Sequence, residues 1–132
     1  MSQDPFASLF TGQALGRVFP AGRADEFFEA LFGDAKEGAY DIRLSYSGFD
    51  VDKKTLCFEL QLRQRPGKCL ACNLTYGLPE VFSRHPVINL NGVAAAICGM
   101  LPDKKSCSGW QLQTTVQHSR DLHAIPLLIQ ID

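Results

Sequence analysis

The chain has 132 residues, 45% of them hydrophobic and 20% charged, with a net charge of −1. That length fits one domain able to bury a self-sufficient core. The composition is globular and not disordered, and the absence of a basic excess argues against nucleic acid as a partner. The N-terminal MSQDPFASLF lacks the basic-then-apolar pattern of a secretory signal, and no apolar run approaches a membrane span, so the expectation is a protein with no membrane partner, located in the cytoplasm. Five unevenly spaced cysteines fit reduced thiols better than a disulfide framework.

Residues 1–38 read as a helical N-terminal segment broken by turns. Asp4-Pro5 resembles a cap followed by a first-turn proline, and Phe6, Leu9 and Phe10 share a face, while Gly12 and Gly16 limit the run. A second helix is expected over 23–32, with Phe27, Phe28, Leu31 and Phe32 opposite Asp25, Glu26 and Glu29, and Gly33 as its C-cap.

From Ala39 the period becomes two. Tyr40, Ile42, Leu44 and Tyr46 alternate with polar residues, and after a loop Leu56, Phe58, Leu60 and Leu62 alternate with Cys57, Glu59, Gln61 and Arg63. These are antiparallel strands with one buried and one wet face. Arg65-Pro66-Gly67-Lys68 fits a type II turn into a third strand over 68–76. Pro79–Arg84 suits one helical turn. Asn89 or Asn91 caps a helix near 90–101, and strands follow over 109–117 and 122–131. Trp110, Leu112 and Val116 are expected on one face. Pro126 has no N–H to donate, which predicts a sheet edge or a bulge for the last strand.

The order α-α-β-β-β-α-β-β predicts a single α+β domain over 1–132. It has two layers: a five-stranded antiparallel sheet over 39–132, with one inserted helix, and helices packed on one face. This element order is similar to that of small secretion chaperones, which end on a further helix where this chain ends on a strand; the likeness is one of topology.

Chemical leads are few. Cys69 and Cys72 form the chain's CxxC, and with His85 and Cys98 they offer a low-specificity zinc set, because the second half lacks its own paired ligands. Small core cysteines are the plainer reading. His85, held between Arg84 and Pro86, suits a general base or anion contact, and with Arg84 and Tyr76 it is a candidate ligand-binding group. No phosphate loop, HExxH, GxSxG or carboxylate cluster is present. The outward sheet face is polar, lightly charged and rich in Thr and Gln. The N-terminal phenylalanines are a second docking candidate if they stay uncovered. The resulting expectation is a small non-enzymatic binding or adaptor protein, homodimeric or with a protein partner. The alternatives are a small-molecule or enzymatic domain with a pocket between sheet and helices, and a zinc-stabilised domain.

Overall fold

The computed structural model describes residues 6–20, 22–34, 40–67, 78–101 and 107–131. The elements in chain order are α1 (Gly12–Val18), α2 (Arg23–Phe32), β1 (Tyr40–Asp50), β2 (Thr55–Gln64), α3 (Leu78–Arg84), α4 (Leu90–Gly99), β3 (Cys107–Leu112), β4 (Val116–Gln117) and β5 (Leu122–Ile131). The α+β class expected from the sequence is the one observed: one antiparallel five-stranded sheet with helices on a single face. Strands run β1-β2-β5-β3, with β4 also on β5. The strand expected over 68–76 lies outside the described residues. The strand expected over 109–117 is instead two pieces, β3 and β4.

Strict alternation places Leu56, Phe58, Leu60 and Leu62 of β2 opposite Ile129, Leu127, Ile125 and His123 of β5. These rows meet Phe27, Phe82, Leu90, Val93 and Ile97 from the helices in one core. The N-terminal aromatics belong to it too: Phe6, Phe10, Phe19, Phe27 and Phe28 are all buried. They therefore give no free docking patch. Phe10 packs edge-on against Phe58 with ring centroids 5.1 Å apart, and Phe6 meets Phe49 at 4.8 Å. The first helix begins at Gly12, later than expected, because the Thr11 hydroxyl accepts from the Ala14 N–H and so caps it there. Gly16 lies inside that helix, where the burial of Leu15 and Phe19 outweighs glycine's poor propensity. Gly33 ends α2 with φ 77°, as expected.

Arg65 ties helix to sheet. Its Nη2 meets Asp25 of α2 at 2.7 Å, its Nε meets Asp41 of β1 at 2.9 Å, and its guanidinium stacks over Phe28. Among the described residues no helix is long and apolar enough to cross a membrane.

Three irregularities shape the sheet. In β1 the register slips between Tyr46 and Gly48, so Ser47 is an extra residue and Phe49 turns into the core. In β3 the register slips between Cys107 and Gly109. The third lies opposite Pro126. Leu112 pairs with Leu127 and Val116 with Ala124, four steps along one chain against three along the other. Pro126 is thus in an interior strand, not at an edge, and the irregularity falls on its neighbour. Its carbonyl still accepts from the Gln113 N–H, but it has no N–H to return. The extra residue reverses the alternation, so Val116 joins the outer face with Ala124 and not the inner face with Trp110.

Candidate functional site

The outer face of the sheet carries two complete cross-strand rows at the end nearest the β1–β2 turn. Asp50, Thr55, Gln130 and Gly109 make one, each the direct partner of the next across β1, β2, β5 and β3. Gly48, Cys57, Leu128 and Gln111 make the second. Each row contains a glycine on an edge strand and so lacks a side chain there. A Cβ built on Gly109 would meet nothing within 4 Å. The result is an open concavity of about 540 Å³ lined by the residues of these rows other than Gly48, together with Lys53, Trp110 and Gln113.

Its walls are fixed by local hydrogen bonds. The Asp50 carboxylate accepts from the backbone N–H groups of Asp52 and Lys53, the Thr55 hydroxyl donates to the Lys53 carbonyl, and the Ile131 N–H donates to the Lys54 carbonyl. Lys54 takes φ 51° to close the turn. On the opposite side the Trp110 indole N–H donates to Asn91 Oδ1 at 2.9 Å, which holds β3 against α4. The floor is apolar, from Leu128 and Cys57. The rim has the amides of Gln111, Gln113 and Gln130, each able to donate and accept.

Cys57 is half-buried, and its thiol pKa is raised, first by burial and then by the nearby Asp50 carboxylate, against a smaller opposite effect of Lys53. A raised value keeps the group a thiol at neutral pH, whereas nucleophilic chemistry needs the thiolate.

The residues singled out from sequence lie elsewhere. Arg84 ends α3, exposed, and pairs with Glu80 one turn back. The His85 ring packs edge-on against Phe27, and its Nδ1 accepts from the Val87 N–H at 3.2 Å. Neither lines the concavity. Tyr76, Cys69 and Cys72 lie outside the described residues. Cys98 is joined by a disulfide to Cys107, with Cα atoms 6.1 Å apart. The expectation of reduced thiols is corrected for this pair, and the Cys98 sulfur is no longer a free thiolate ligand. Among the described residues no group of three or more His, Cys, Asp and Glu converges. His123 is buried opposite Leu62, and burial lowers its pKa. His118 reaches Glu59 at 3.0 Å on the outer face.

A second concavity, of about 560 Å³, lies between the α1–α2 corner and the β1–β2 edge. Phe19 and Ile42 line it together with Asp25, Asp41, Arg43 and Arg63.

No family model, curated protein or solved structure matches this chain.

Leu128 and Gln130 were not singled out from the sequence, because attention falls on the apolar alternation of β5 at Ile125, Leu127, Ile129 and Ile131. The signal that could have found them is Leu128 itself, a large apolar residue on the polar phase of that strand.

Proposed function

We propose that this chain is a small non-enzymatic binding protein whose working surface is the outer face of its sheet, and that a second copy of the chain occupies it. The observation that carries this reading is the pair of rows ending in glycine, which leaves an apolar floor open beneath an amide rim. Leu128, Cys57 and Pro126 are only half-covered there, and Val116 beside them is 43% exposed. The charges suit a like partner: the concavity carries one carboxylate, Asp50, and one ammonium, Lys53, so it does not repel its own copy. A standard interface of roughly 800 Å² per partner is about a tenth of the chain's 7642 Å² surface. One face of a sheet supplies that. Sheets pack face to face near 10 Å with interdigitated side chains, and the missing side chains at Gly48 and Gly109 leave room for a partner's.

Peptide-mapped alkylation of Cys57 across a dilution series from about 0.1 to 100 µM tests this. Labelling should slow several-fold as concentration rises. A rate independent of concentration sinks the reading.

A second reading, a small-molecule pocket between helices and sheet, is favoured by the concavity at Phe19 and Ile42. Arg65 already engages both Asp25 and Asp41, which leaves Arg43 and Arg63 to face an anionic ligand. Saturable chemical-shift changes at Gly16 and Ile42 with a short-chain carboxylate would support it, and unmoved resonances would remove it.

A further inference from the structure

The disulfide joins the last turn of α4 to the first residue of β3. The same helix holds the same strand a second time, through Asn91 and Trp110. The two tethers are matched in length. Asn91 and Cys98 are seven residues apart on α4, about 10.5 Å at helical rise, and lie almost on one line of its surface. Trp110 and Cys107 are three residues apart on β3, about 10 Å at strand rise. The strand is therefore tied to the helix at two points, one near each end of α4.

Between the clamps sits Gly109, and next to them Gln111, which form the β3 wall of the outer concavity. Among the described residues β3 pairs only with β5, and its first step is already bulged. Among the described residues no other covalent bond fixes that end of the wall.

We propose that the Cys98–Cys107 bond is a thiol-sensitive clamp that holds the β3 wall in place and makes docking on the outer face depend on redox state. This rests on the reading of that face as a docking surface. Both cysteines are half-buried residues packed against the margin of the core. Two equivalents of a small thiol of the glutathione class reduce the bond: one thiolate attacks a cysteine sulfur and releases the other cysteine as thiolate, and a second thiolate frees the mixed disulfide. The products are two protein thiols and one oxidised thiol dimer. With the clamp open, the wall keeps the Trp110–Asn91 hydrogen bond and the β5 ladder but loses its covalent tie to α4.

The test uses the full chain in oxidised and reduced glutathione buffers, with two independent readouts. Amide hydrogen exchange across 109–112 reports the clamp, and sedimentation reports docking. Alkylation of the untreated protein without reductant should leave Cys98 and Cys107 unlabelled. Reduction should then speed exchange across 109–112 about ten-fold or more, with β2 unchanged as the internal control. Self-association should weaken at the same time. The double variant Cys98→Ser/Cys107→Ser should match the reduced protein in both buffers. Labelling of Cys98 and Cys107 in the untreated protein overturns the clamp, and so does exchange across 109–112 that ignores reduction. If exchange responds and the chain is monomeric in every buffer, the clamp on the wall stands, and its coupling to self-docking falls together with the second-copy reading.

Discussion

Cys57 and Leu128 are direct cross-strand partners on the face of the sheet that the helices leave open. Helix packing accounts for the opposite face, where Phe58 and Leu127 occupy the next pair and are fully buried. An apolar pair on the second face of a two-layer fold has no partner within the layers. That asymmetry, and the glycines at the edges of its row and the next, are what the proposed self-docking on the open face rests on.

Gly109 provides the sharpest separation of stability from docking. Its Cβ position is empty space, and its φ is not in the left-handed region. Valine fits strand backbone better than glycine, so Gly109→Val should raise unfolding free energy by up to about 1 kcal/mol. The same side chain fills the concavity, and self-association should weaken ten-fold or more. Urea denaturation and a sedimentation dilution series read the two effects on one sample.

Gly92 should behave in the opposite way to helix propensity. Asn89, at φ 49°, caps α4 by accepting from the Gly92 N–H at 3.2 Å, and a Cβ on Gly92 would clash with the Asn89 amide nitrogen. Alanine at a helical position normally gains about 1 kcal/mol over glycine. Here it displaces the cap, and Gly92→Ala should instead cost about 1–2 kcal/mol by chemical denaturation. A stabilised variant would show that the cap is dispensable.

His123 sets the acid side of the stability profile. Burial holds its native pKa below the ordinary value of 6.5. Below that value the unfolded chain takes up a proton that the native chain refuses, so the unfolded state binds more protons and stability falls as pH drops. The loss begins near the ordinary value and levels off below the native one, with a slope of at most about 1.4 kcal/mol per pH unit for one proton. Above about pH 7.5 this contribution should be flat. Urea midpoints from pH 8 to 5 should show the fall, and His123→Gln should remove that part of it while carrying a pH-independent cost of its own. An unchanged slope in the variant would assign the fall to the carboxylates.

How legible this was from the sequence depended on which interactions set each feature. Local patterns carried α2, its Gly33 cap and the alternation of β1 and β2, because 3.6- and 2-residue periods report burial directly. The position of Pro126 did not follow from proline chemistry alone. A missing N–H is tolerated inside a sheet when the neighbouring strand takes the irregularity, and that neighbour is set by long-range pairing. The same holds for Phe49, moved inward by the Ser47 bulge. At the site, Cys57 and the glutamines were readable as outward-facing, but no sequence pattern aligns Asp50 with Gly109 across four strands. Arg84 and His85 stood out by type, and local contacts account for both: an ion pair to Glu80, and packing on Phe27 with a bond to the Val87 N–H.

Self-docking through the outer face stands or falls with Leu128→Glu. The residue is half-exposed, so the substitution should cost the fold no more than about 1 kcal/mol. In a dimer it buries an unpaired carboxylate at the floor of the interface, and association should weaken a hundred-fold or more. Sedimentation equilibrium of the two proteins at equal concentration should return twice the chain mass for the native protein and the single chain mass for Leu128→Glu. A native chain that sediments at its single mass, or a dimer indifferent to Leu128→Glu, would contradict it.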